Sequence, residues 1–103
     1  MLAYHIGNAI VVRSKHRDYE SISRIPNPSL KYFTDVAFHP SGQWLAATCN
    51  DETVKFYDTE SWQVAKTFAF WIGRMRSIAF SPDGTLAAAG SDTGKVVIWD
   101  INE

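Results

Sequence analysis

Val36-Ala37-Phe38-His39-Pro40-Ser41-Gly42-Gln43-Trp44-Leu45-Ala46-Ala47 aligns without a gap on Ile78-Ala79-Phe80-Ser81-Pro82-Asp83-Gly84-Thr85-Leu86-Ala87-Ala88-Ala89. The match continues from Val54-Lys55-Phe56-Tyr57-Asp58 to Val96-Val97-Ile98-Trp99-Asp100 in the same register. Ala37, Phe38, Pro40, Gly42, Ala46, Ala47, Val54 and Asp58 recur as identical residues, and most other positions keep their polarity. A period near 40 residues means one supersecondary unit copied, and such a unit cannot bury its apolar faces alone.

Each copy reads as antiparallel strands. Phe38-His39-Pro40-Ser41-Gly42 and Phe80-Ser81-Pro82-Asp83-Gly84 end an apolar run in a turn, because Pro fixes one backbone angle and Gly accepts the left-handed region. Trp44 to Thr48 and Leu86 to Ala89 are the next strands, ending at Asn50-Asp51 and Gly90-Ser91-Asp92. The alanines of the second run also favour helix, but the run is short and bounded by turns, so strand is preferred. Val54 to Tyr57 and Val96 to Trp99 are β-branched and aromatic; Val96-Val97-Ile98-Trp99 lacks a polar alternate and predicts a strand covered on both faces. Gln63 to Phe68 reads as a fourth strand. A partial copy stands upstream: Leu2-Ala3 precedes Leu45-Ala46, Ala9 to Val12 precedes Thr53 to Phe56, and Tyr19 to Ile25 matches Trp62 to Phe68. Pro26-Asn27-Pro28-Ser29 is a loop on composition.

The 103 residues bound this to one domain, with a hydrophobic share of 46% that suffices for a core. A net charge of −1 gives no reason to expect nucleic acid or an anionic membrane as the main partner. Cys49, the single cysteine, excludes an internal disulfide and fits a reducing compartment. No apolar run reaches membrane-spanning length, and no basic region followed by an apolar stretch opens the chain, so a soluble, cytoplasmic protein without a signal peptide is expected.

The recurring hairpin, small-residue strand and Trp-Asp ending resemble the WD-repeat β-propeller family. Ile78-Ala79-Phe80-Ser81-Pro82-Asp83-Gly84 and Val96-Val97-Ile98-Trp99-Asp100 match its motif closely; the copy ending Phe56-Tyr57-Asp58 is looser. The resemblance implies an all-β fold of four-stranded antiparallel blades around a channel, with strands a to d running from the inside out. Along this chain they count b, c, d; then a, b, c, d; then a, b, c. The expectation is an incomplete propeller of about two to three blades: a partial blade over 1–29 and repeats over 30–68 and 69–103. A propeller takes roughly four to eight blades, so this chain is expected not to close a ring alone and to be a truncated or excised piece. If about 500 Å² of apolar surface were bare at one end, its burial would contribute roughly 12 kcal/mol. That equals the stability of a typical domain, about 5–15 kcal/mol. Cover by other copies or by missing blades is therefore expected.

Many blades of the family contain a buried tetrad of His, Ser or Thr, Asp and Trp, and here most of it is replaced. The His position falls on Ser29 and Trp71, the strand-b hydroxyl on Ala47 and Ala89, and the turn Asp on Asp51 and Thr93; Trp99 keeps the aromatic donor, with Tyr57 its counterpart. These blades are expected to rely on apolar packing more than on a polar network. Ala46, Ala47, Ala87, Ala88 and Ala89 would let neighbouring sheets approach closely.

Catalysis needs convergent reactive groups. His39 lies at a turn and reads as a surface residue, His5 as a packed or solvated strand residue, and His16 as a turn residue among charges. No histidine pair has ligand spacing, one cysteine makes no zinc cluster, and no nucleophile elbow or phosphate loop occurs. Gly90-Ser91-Asp92-Thr93-Gly94 fits a b–c turn, and Asn50-Asp51-Glu52 lacks the rest of a calcium loop. No catalytic, cofactor-binding or metal-ligating residue is assigned, and an enzyme is not expected. Lys15-His16-Arg17 and Arg74-Met75-Arg76 read as solvated turn residues, since acidic residues interrupt any basic stripe.

Recognition by surface loops on a rigid scaffold remains. The resemblance implies docking on the face made by d–a and b–c loops, which carries Tyr32 and Thr34 with Asn50, and Arg74 and Arg76 with Asp92. Arginine and tyrosine suit anchoring. Trp71 belongs near this face, although packing between blades is the preferred reading for it. Trp62 and Tyr19 begin d strands as structural residues, and Trp44 is partly exposed. The leading reading is a non-catalytic scaffold that binds a protein or peptide partner. The alternatives are a module whose copies, or missing blades, complete a ring, and a non-catalytic part of a larger enzyme or regulator.

Overall fold

The computed structural model describes residues 1–15 and 20–102. The expectations for His16, Arg17 and Tyr19 lie outside the described residues. Ten strands form three antiparallel sheets, and no helix occurs among the described residues. Sheet 1 holds β1 (Leu2–Ile6), β2 (Ala9–Lys15) and β3 (Glu20–Pro26); sheet 2 holds β4 (Phe33–Phe38), β5 (Trp44–Cys49), β6 (Thr53–Asp58) and β7 (Val64–Ala69); sheet 3 holds β8 (Met75–Phe80), β9 (Leu86–Ser91) and β10 (Val96–Asp100). Neighbours in sequence are neighbours in each sheet, as short turns dictate. The alanine-rich run from Leu86 is a strand, paired with β8 through Ala79↔Ala88 and with β10 through Trp99↔Ala87. Trp62 precedes β7 in its turn, at φ 56°, and packs on the core from there, so it does not begin the strand.

Strand alternation sends sheet 2's residues to two separate cores. Leu45, Ala47, Cys49 and Tyr57 pack with Ile10, Val12 and Ile25 of sheet 1. Ala46, Val54 and Phe56 pack with Ile78, Ala87 and Ala89 of sheet 3. The small residues on β5 and β9 are buried where the sheets meet, which permits their close approach.

Polar contacts also join the sheets, beyond the expected reliance on apolar packing. The Thr34 hydroxyl donates to the Met75 carbonyl at 2.7 Å and lies 2.7 Å from the Thr48 hydroxyl. The Asp35 carboxylate accepts from the Ile78 N–H at 3.0 Å. His39 is 9% exposed rather than a surface turn residue: its ring lies between Trp44 and Phe80 and bonds the Gly84 carbonyl of sheet 3. A Cβ on Gly84 would stand 2.7 Å from that ring. Trp44 is half-buried, with Lys66 over its ring.

The expectation of a doubly covered β10 is corrected. Val96 is 68% and Ile98 66% exposed, because alternate residues of β10 face away from sheet 2. Val97 and Trp99 point the other way, into the core. Leu2, Ile6 and Ile22 are exposed on the far side of sheet 1 in the same manner.

Candidate functional site

The loops β3–β4 and β7–β8 and the turns β1–β2, β5–β6 and β9–β10 emerge at one end of the sheets, since successive antiparallel strands reverse direction. Two loop pairs are built alike. The Asn50 N–H donates to the Tyr32 carbonyl at 3.0 Å, and the Asp92 N–H donates to the Arg74 carbonyl at 2.9 Å. Tyr32 and Arg74 are therefore equivalent, as are Asn50 and Asp92, in keeping with the repeat.

Each loop is braced by side-chain hydrogen bonds. In β3–β4 it is Asn27, fully buried: its side-chain amide donates to the Lys31 carbonyl at 3.0 Å and to Cys49 Sγ at 2.7 Å, and its Oδ1 accepts from the Ser29 N–H at 3.1 Å. Composition marks this stretch only as a loop, and nothing in the sequence singles out Asn27. In β7–β8, the Thr93 hydroxyl donates to the Ile72 carbonyl at 2.5 Å. Gly73, at φ 114°, lets this loop touch the β9–β10 turn, because a Cβ there would stand 2.7 Å from Asp92 and Thr93.

The expected site residues divide in two. Tyr32, Arg74, Arg76, Asp92 and Trp71 are exposed at this end. Thr34 and Asn50 are half-buried: the Thr34 hydroxyl is engaged between sheets, and Asn50 Oδ1 is buried without a partner. Arg76 lies 3.8 Å from Asp92 through its guanidinium. It occupies the bulge where β8 slips against β9 between Met75 and Ser77; Thr34 occupies the matching bulge in β4. A bulge re-aims a side chain, which places Arg76 outward while Met75 is buried.

Trp71 does not pack between sheets, contrary to the preferred expectation. It is 78% exposed. Its neighbours are anchored: Phe70 lies 4.7 Å from Trp99 between ring centroids, and Ile72 packs on the same core. Trp71 is thrown outward between them at φ 56°, where a non-glycine residue is strained. Leu30 in β3–β4, one position further on in the repeat, also has positive φ, at 63°, and is 73% exposed.

The tetrad positions behave as their substitutions dictate. Asp51 accepts from Thr53 and, at 2.6 Å, from the Lys55 ammonium. Burial pushes its carboxyl up, but hydrogen bonds from Lys55, Thr53 and Ser29 outweigh this and hold it well below the usual range. Trp99 Nε1 and the Tyr57 hydroxyl are buried without partners, consistent with alanine at the hydroxyl positions. Burial, with Cys49 and Asp51 nearby, pushes the Tyr57 phenol up to about 12. Among the described residues no group of three or more His, Cys, Asp or Glu could hold a metal ion.

The family profile of the WD domain, G-beta repeat, matches residues 21–58 and 66–100. The chain belongs to the WD-repeat family. Among related WD-repeat-bearing sequences, it is 29% identical over 104 residues to the Periodic tryptophan protein 2 homolog of Caenorhabditis elegans, covering 97% of this chain and 11% of that protein. It is 36% identical over 78 residues to the Probable cytosolic iron-sulfur protein assembly protein 1 of Yarrowia lipolytica, covering 69% of this chain and 24% of that one. The chain thus spans a quarter or less of the length of these relatives. A chain in the Crystal Structure of Mitotic Checkpoint Complex has the same fold, with a TM-score of 0.84 at 20% identity, over 98% of this chain and 30% of that one. The three sheets are therefore WD-repeat propeller blades.

Proposed function

We propose that this WD-repeat segment is a non-catalytic interaction scaffold that docks a protein or peptide on the face formed by its β3–β4 and β7–β8 loops and the facing turns. The observation that carries this reading is Trp71, exposed and strained on a loop braced by Gly73, Thr93 and the Asp92–Arg74 backbone bond. Large apolar side chains held rigidly beside arginine make efficient anchors. A surface concavity of about 370 Å³ lies at the opposite end between Ser41–Gln43 and Asp58–Glu60. Its walls bond each other, with the Thr59 hydroxyl donating to the Gly42 carbonyl at 2.7 Å, and it carries no exposed large apolar side chain.

The units we propose are a partial blade over 1–29 and repeats over 30–68 and 69–103, in a protein of the cytoplasm. A second reading is favoured by the open faces of sheets 1 and 3, where Leu2, Ile22, Val96 and Ile98 lie bare: further blades, or other copies, cover them in an assembly. Combined Arg74→Ala and Arg76→Ala substitution tests docking, and combined Val96→Lys and Ile98→Lys substitution tests assembly. Loss of partner with unchanged mass in sedimentation after the first supports docking; dissociation of the protein into smaller species after the second supports assembly.

A further inference from the structure

We propose, resting on the docking reading above, that the bound segment is an acidic peptide with one apolar anchor, its carboxylates meeting Lys31, Arg74 and Lys95 while the anchor lies against Trp71. The two ends of the blades differ in charge. At the Trp71 end the exposed basic residues are Lys31, Arg74, Arg76 and Lys95, opposed by Glu52 and Asp92. Asp92 already faces Arg76, and Asp51 is neutralised by Lys55. Lys31, Arg74 and Lys95 form no ion pair among the described residues, and they outnumber Glu52. At the other end Glu60 and Asp83 lie in described turns and Asp58 and Asp100 at the strand ends beside them, with Lys66 bonded to the Ile101 carbonyl at 3.0 Å. An acidic segment is steered to the first end by Lys31, Arg74 and Lys95, which favours this face.

The apolar part of the site follows from backbone strain. A tryptophan in the left-handed region, with anchored neighbours and little contact of its own, is retained against a local energetic penalty, and such outliers gather at binding sites. Its indole gives a partner's aliphatic or aromatic side chain a flat surface at the same end as the cations. Nucleic acid would also use cations and an aromatic, and it is the competing outcome that the oligonucleotide control reads.

The test is fluorescence anisotropy on the intact protein. The probe is a labelled twelve-residue peptide of Glu and Asp around a single Phe; the controls are its Gln and Asn counterpart and a single-stranded DNA oligonucleotide of equal charge. The acidic peptide is expected to bind at least tenfold more tightly than the neutral one, and more weakly as salt rises. Trp71→Gly is expected to lower that affinity at least tenfold while leaving the melting temperature unchanged or higher, because glycine accepts φ 56° without strain. Arg74→Ala is expected to lower affinity and salt dependence together. Equal binding of the neutral peptide, still dependent on Trp71, overturns the acidic chemistry but leaves the docking face standing. Binding indifferent to both substitutions overturns the two together. Tighter binding of the oligonucleotide through the same residues, or a melting temperature that falls with Trp71→Gly, overturns the assignment of Trp71 to a peptide anchor.

Discussion

His39 Nε2 donates to the carbonyl oxygen of Gly84 at 2.8 Å, joining the first hairpin turn of one blade to the equivalent turn of the next. The direction follows from the other nitrogen: Nδ1 accepts from the Ser41 N–H at 3.1 Å, so the ring proton sits on Nε2. Trp44 and Phe80 stand edge-on to the same ring, with centroids 5.2 and 5.1 Å away. His39→Phe keeps the packing but leaves the Gly84 carbonyl unpaired, and is expected to lower stability by about 1–3 kcal/mol in urea denaturation. A variant as stable as the parent would show that the bond between blades contributes nothing.

The buried Tyr57 hydroxyl makes a prediction of opposite sign. Tyr57→Phe removes an unpaired polar atom and is expected to raise stability by about 1 kcal/mol. It also changes the alkaline limb. The folded phenol is pushed up to about 12 against an ordinary 10.0, so over that interval the unfolded chain loses the proton and the folded one keeps it. Stability then falls as pH rises between these values. The phenylalanine variant should lack this part of the decline; an unchanged pH profile contradicts the account.

Asp51 governs the acid side. Its folded carboxyl lies below the ordinary 3.8, so its contribution is present at neutral pH and lost as pH falls beneath that value. Asp51→Asn leaves Lys55 without its carboxylate and is expected to cost about 2 kcal/mol at pH 7. The gap between parent and variant should narrow below about pH 3, measured by urea midpoints across pH. A gap independent of pH would place the effect elsewhere.

Gly73 tests the rigidity of the loop that carries Trp71. Gly73→Ala forces a Cβ into Asp92 and Thr93 at a left-handed φ, so a loss of about 1–3 kcal/mol and faster amide exchange at 71–74 are expected. Unchanged exchange would show that the loop is not held by this contact.

The strand order was legible because apolar runs end at Pro-Gly turns twice in the same register, and that register fixes which residues pair. Tyr32, Arg74 and Asp92 lie at one end of the blades for the same reason: the repeat carries them there. What the sequence did not convey depends on neighbouring sheets. His39 occupies a turn, and it is buried by Trp44 together with Phe80 and Gly84, which arrive from the next sheet. Val96 and Ile98 read as core because apolar strands usually have cover on both faces, yet periodicity does not say where the next sheet stands. Trp71 looked like packing because tryptophan is large and apolar; its exposure follows from the anchoring of Phe70 and Ile72 on either side. The outward turn of Arg76 depends on a bulge, which leaves no composition signal.

Hydrogen exchange on the native complex, compared with the free protein, tests the docking face most directly. The account predicts slowed exchange at 28–32, 50–52, 70–74 and 92–95, the loops and turns around Trp71. Slowed exchange confined to 40–43, 59–63 and 82–85, at the acidic end, would contradict it.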